Sequence, residues 1–144
     1  DGIGTVNTGA ENHQIMTNHR KNKIANIAHF IPEQGYIGST DDDLLVISWG
    51  GTWGTVESAV EEARANGKKV AYLDIKYISP FPKNLGDLLK KFKKVTICEL
   101  NNGQMKELIQ GTYGISVNGY SKVEGQPFTI SEVVEHINKQ LGGN

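Results

Sequence analysis

Alternating strand and helix patterns predict an α/β fold, with a mainly parallel sheet covered by helices on both faces. Three continuous apolar runs carry that prediction: Leu44–Trp49, Val70–Ile75 and Val95–Leu100 each read as a strand buried on both sides. Segments with helical spacing separate them. The turns are marked by Gly67, by the SPFP stretch (Ser79–Pro82) and by the NNGQ stretch (Asn101–Gln104).

Taken in order, residues 1–10 (DGIGTVNTGA) combine glycine, threonine and asparagine without periodicity and read as a linker. From Glu11 the pattern is helical, with Ile24, Ile27, Ala28 and Ile31 spaced i, i+3, i+4, i+7, until Pro32 ends it. A short extended piece follows at Tyr36 and Ile37, before the acidic turn Asp41–Asp43. The helix from about Thr55 gathers Val56, Ala59, Val60 and Ala63 on one face, and Gly67 sits where a C-terminal cap belongs. The prolines of SPFP force an extended loop. Asn84 is placed to cap a helix that turns Leu85, Leu88, Leu89 and Phe92 inward and carries Lys90, Lys91, Lys93 and Lys94 in its last turn. Met105, Leu108 and Ile109 mark the next helix, Ile115–Lys122 an edge strand, and Thr129 with Glu132 a capping box for a helix burying Val133, Val134, Ile137 and Leu141.

A chain of 144 residues supports one domain with a single core. With 15 basic and 16 acidic side chains its formal charge is −1, and no basic stripe suggests nucleic acid as a partner. The one cysteine, Cys98, cannot form an internal disulfide or supply the ligands of an iron–sulfur cluster or zinc site by itself. In a strand it reads as a small buried apolar residue. His13, His19, His29 and His136 lack metal-ligand spacing. No run approaches a membrane span, so a soluble, cytoplasmic protein is expected.

Two segments draw attention as candidate sites. Gly50, Gly51, Thr52, Gly54 and Thr55 lie between a strand and a helix start, where free amides and the helix dipole favour an anion. Gly51-x-x-Gly54 matches the latter part of the dinucleotide fingerprint G-x-G-x-x-G, whose first glycine is replaced by Trp49; Asp74 stands 20 residues after Gly54, where a ribose-binding acid belongs. A small nucleotide-binding module using this loop and Asp74 is therefore one reading. A tight strand-to-helix turn, with the bulky Trp53 inside it, is the other. In the second segment, Glu99, Asn101, Asn102 and Gln104 gather at the carboxyl end of a strand, the edge where open α/β sheets place ligand crevices; recognition at a domain interface and a plain turn both account for them. No catalytic set of side chains emerges from the spacing.

Together, ENHQIMTNHRKNKI (Glu11–Ile24), SWGGTWGTVESAVEEAR (Ser48–Arg64), DIKYISPFP (Asp74–Pro82), ELNNGQM (Glu99–Met105) and KVEGQPF (Lys122–Phe128) resemble the C-terminal region of the alpha subunit of 2-oxoacid:ferredoxin oxidoreductases, the 2-oxoglutarate type above all. The resemblance implies a fold like the transketolase C-terminal domain: a three-layer α/β/α sandwich with a five-stranded, mostly parallel sheet whose first strand, Tyr36–Gly38, is antiparallel. It implies a connecting helix over residues 11–34 and the domain proper over 35–144. The complete enzymes oxidatively decarboxylate a 2-oxo acid to the acyl-CoA with thiamine diphosphate, magnesium, an iron–sulfur cluster and CoA, and reduce ferredoxin. Those groups belong mainly to other domains and subunits. The chain is thus expected to be a piece of a longer alpha subunit, with a shortened linker ahead of ENHQ. Alone, it is expected to be inactive and to bind none of those cofactors; its partners would be the remaining alpha-subunit domains and the beta subunit.

Overall fold

The computed structural model describes residues 4–142. Residues 1–3 of the expected linker and the last two residues of the expected domain lie outside that range. Four strands form one sheet in the order β2-β1-β3-β4: β1 (Leu44–Trp49), β2 (Val70–Ile75), β3 (Val95–Glu99) and β4 (Asn118–Ser121). Every pairing between them is parallel.

Each buried strand feeds two cores by alternation of its side chains. Leu45 and Ile47 of β1, with Ala71, Leu73 and Ile75 of β2, face helices α3 (Leu85–Leu89) and α4 (Gln104–Tyr113). Leu44, Val46, Val70, Tyr72 and Cys98 face α2 (Trp53–Ala65) and α5 (Ile130–Gln140). The result is the expected three-layer sandwich. Val56, Ala59, Val60 and Ala63 of α2 are all buried, as their spacing requires.

The sheet departs from the expectation of five strands with an antiparallel first one. Tyr36–Gly38 is not a strand: Ile37 alone exchanges two backbone hydrogen bonds with Tyr72, an isolated antiparallel bridge on the outer edge of β2. The chain turns away at once. Gly38 has φ +111°, and a Cβ there would stand 2.6 Å from the Asp42 carboxylate and 3.0 Å from Ala71. Asp42 in turn accepts from the Ser39 amide at 2.8 Å and pairs with Arg64 at 3.0 Å, closing the turn before a second ladder rung can form.

Two smaller expectations also shift. Asn84 precedes α3, but its side chain does not cap it; the amide instead clasps the backbone of Gln34, accepting from its N–H at 2.8 Å and donating to its carbonyl at 3.0 Å. That helix ends at Leu89, so Lys90, Lys91, Lys93 and Lys94 follow it and do not lie in its last turn. Leu108 is 45% exposed while Met105 and Ile109 fill the core. Thr129 and Glu132 form the reciprocal capping box of α5.

The N-terminal helix α1 (Ala10–Asn26) and the 3₁₀ turn Ile27–His29 bury no residue. No helix among the described residues is long and apolar enough to cross a membrane.

Candidate functional site

Open α/β sheets place ligand crevices at the carboxyl ends of strands, where consecutive connections leave on opposite faces. Here that point lies between β1 and β3, since α2 leaves β1 on one face and α4 leaves β3 on the other. The two segments singled out in the sequence meet there. Thr52, on the loop after β1, reaches the carbonyl of Cys98 on β3 at 3.5 Å.

The meeting is mostly self-satisfied. Gly50 takes a left-handed φ of +59° and starts a 3₁₀ turn, Gly50–Thr52, that leads into α2. Thr52 is buried, and its hydroxyl donates to the Trp49 carbonyl at 3.0 Å. Gly50 and Gly51 are exposed, Gly54 and Thr55 half-buried, and a Cβ at any of the three glycines would meet nothing within 4 Å. Open space above the loop, rather than close packing, surrounds these glycines.

Across the crevice, Glu99 is 1% exposed, yet both carboxylate oxygens are occupied: one accepts from the Met105 amide at 2.8 Å, the other from the Lys106 amide at 2.9 Å. An internal carboxylate thus fills the anion-seeking start of α4. Asn101 accepts from the amides of Gly103 at 2.7 Å and Gln104 at 3.1 Å. Asn102 and Gln104 alone of the four keep exposed side chains. The adjacent Cys98 thiol is pushed up to about 12, by burial first and by the Glu99 charge second, which removes it as a nucleophile at neutral pH.

A second corner of the same edge is more open. A cleft of about 550 Å³ lies on the β2 flank, between the Pro32–Ile37 segment and the start of α2, and Asp74 lines it with Trp53, Glu57, Tyr72 and Tyr77. Asp74 sits directly across from Ser48 in the β1–β2 register. The buried Ser48 hydroxyl donates to the Asp74 carboxylate at 2.9 Å and lies 2.7 Å from the Tyr72 hydroxyl, which also reaches the Trp53 carbonyl at 3.2 Å. Burial pushes the Tyr72 phenol up to about 12, and the charges of Asp74 and Glu57 push in the same direction against the Ser48 hydrogen bond. Gln34 closes one wall, its side-chain amide donating to the Asp74 carbonyl at 2.9 Å.

Sequence spacing brought Asp74 forward and overlooked the rest of this cleft. The available signal was Ser48 and Tyr72, polar groups within two otherwise apolar buried runs, since a buried hydroxyl needs a partner. Tyr36 and Ile37 were marked only as a short extended piece, and nothing local placed them beside Asp74, which lies far away in the chain.

With this geometry, the family model of pyruvate:ferredoxin oxidoreductase core domain II matches residues 42–133. The chain belongs to that family. The whole α/β body from the Asp42 turn to the first turns of α5 is thus core domain II sequence. The chain is 35% identical to the 2-oxoglutarate oxidoreductase subunit KorA of Mycobacterium tuberculosis, over 99% of its own length and 22% of that protein. It superposes with a TM-score of 0.88, at 28% identity, on a chain of the 2-oxoglutarate:ferredoxin oxidoreductase of Magnetococcus marinus, solved with 2-oxoglutarate, coenzyme A and succinyl-CoA bound, covering 96% of this chain and 25% of that one. A split-gene transketolase shares the fold, with a TM-score of 0.58 at 17% identity over 76% of this chain and 41% of that one. This core domain II chain therefore spans about a quarter or less of these two 2-oxoglutarate oxidoreductase relatives.

Proposed function

We propose that the chain is the core domain II portion of the alpha subunit of a cytoplasmic 2-oxoacid:ferredoxin oxidoreductase of the 2-oxoglutarate type. The complete assembly would oxidatively decarboxylate the 2-oxo acid to its acyl-CoA and pass the electrons to ferredoxin. The observation that carries this reading is the superposition over 96% of the chain on a 2-oxoglutarate:ferredoxin oxidoreductase. Residues 11–34 would connect this body to the preceding domain, and residues 35–144 would pack against its neighbours in the alpha and beta subunits.

Thiamine diphosphate with magnesium, the iron–sulfur cluster and CoA would sit in those neighbours, and the residues of this chain do not fit the cluster. The chain has one thiol, Cys98, buried within the sheet, and an iron–sulfur cluster needs several. Among the described residues no group of three metal-ligating side chains gathers, and the start of α4 is already neutralised by Glu99. What the domain contributes is shape and position. Its rigid sheet edge presents the glycine loop, Asn102 and Gln104 on one side and the Asp74 cleft on the other.

The test is turnover by the assembled enzyme that carries this segment, followed as CoA-dependent viologen reduction with 2-oxoglutarate and with other 2-oxo acids. Reduction with 2-oxoglutarate supports the assignment, and an intact assembly that oxidises no 2-oxo acid overturns it. The rival nucleotide-module reading is separated by calorimetry with NAD, CoA and ADP on the 144-residue chain. It requires binding that Asp74→Ala abolishes.

A further inference from the structure

The cleft on the β2 flank has the chemistry of a cation site. Glu33, Glu57 and Asp74 line it against a single ammonium, Lys76, which pairs with none of them within 4 Å, so its formal charge is −2. Asp74 is the organised member. Ser48 holds one of its oxygens, and the other takes no hydrogen bond from the described residues. A carboxylate fixed at one oxygen and open at the other is prepared to accept from a donor entering the cleft. The cleft mouth is aromatic and apolar: Trp53 is 55% exposed, Tyr77 43%, Tyr36 39% and Ile37 49%. An exposed indole beside carboxylates, one of them held in place, attracts a planar cation through its quadrupole as well as by charge.

We propose that this cleft receives an arginine side chain presented by a neighbouring protein segment of the larger assembly. The guanidinium meets all three features at once, since it is permanently charged, donates in a planar fork to a carboxylate, and stacks on an aromatic ring. An ammonium group matches only the charge. A phosphate entering this cleft is repelled by the same carboxylates. A protein segment is the source because a rim of exposed aromatic side chains around a charged centre has the composition of an interface core. The two 2-oxoglutarate oxidoreductase relatives above have the polypeptide to cover such a cleft, since this chain accounts for only 22% and 25% of their length. The inference rests on the reading that the chain works within such an assembly.

The experiment uses the assembled enzyme with the photo-crosslinking residue p-benzoylphenylalanine in place of Tyr77, on the cleft rim. After irradiation and digestion, mass spectrometry identifies the captured peptide. The expected result is one peptide from outside this chain, carrying arginine within a few residues of the cross-link. Its capture should fall roughly tenfold when Asp74→Asn is added, in an assembly whose size-exclusion profile is unchanged. Replacing the captured arginine by lysine should weaken capture, and replacing it by methionine should do so more strongly. A captured peptide without arginine, no capture in an intact assembly, or a yield indifferent to Asp74→Asn overturns the proposal. Cross-linking does not depend on turnover, so an arginine captured in an assembly without 2-oxo acid activity overturns the functional reading alone.

Discussion

Glu99 and Asp74 are both carboxylates at the carboxyl ends of parallel strands, β3 and β2, that flank β1, and they do opposite things. Glu99 is followed within seven residues by the first amides of α4, which bend back and occupy both of its oxygens. Asp74 is followed by the extended stretch leading to SPFP, with no helix start to answer it, and only Ser48 engages it. The difference lies in what the chain does next, since a helix that begins at once consumes the charge as its own cap. A chain that runs away leaves the charge facing a cleft.

The largest expected effect is at the closed corner. Glu99→Ala leaves two amides at the start of α4 without their acceptor and should destabilise the fold by about 3 kcal/mol or more, measured by urea unfolding; Glu99→Gln should cost about half as much. A loss below about 1 kcal/mol would mean that water replaces the carboxylate and that this corner is not closed.

Gly86→Ala asks whether packing, as well as capping, sets the position of α4. A Cβ at Gly86 would stand 2.5 Å from the Tyr113 ring at the far end of that helix. The ring must move, and a cost of about 1–3 kcal/mol is expected in the same unfolding assay.

At the open corner, Asp74→Asn should change stability by no more than about 1 kcal/mol, because the amide oxygen still accepts from Ser48. A loss equal to that of Glu99→Ala would erase the distinction between the two corners.

A third carboxylate, Glu132, shows the helix-cap role at the surface and gives the smallest effect. Lys122 first, then the Thr129 amide and hydroxyl, hold its carboxyl down to about 2 from the ordinary 4.5. A depressed folded value stabilises the fold above about pH 4.5 and loses that contribution as the pH falls toward 2. Glu132→Gln should therefore melt below the parent at pH 7, and the gap should close near pH 2 in thermal melts followed by circular dichroism.

Local signals specified much of this fold. The three apolar runs became β1, β2 and β3 because continuous burial on both faces admits few alternatives, and the Thr129/Glu132 box became the start of α5 because both partners lie within one turn. The candidate sites were legible as residues, and their arrangement was not. That Thr52 approaches Cys98 and that Asn84 clasps Gln34 rather than capping α3 both depend on how separate elements dock.

By itself, the sequence determined the layer order, the strand positions and the family motifs, because periodicity, turn residues and caps act over a few residues. The tertiary structure alone decided that Tyr36–Gly38 contributes one bridge and no strand, and that the two flagged segments share the β1–β3 crevice. It alone also showed that Asp74 opens onto an aromatic, acidic cleft. Each of these joins groups far apart in the chain, and no local propensity encodes the partner a side chain meets once the sheet closes.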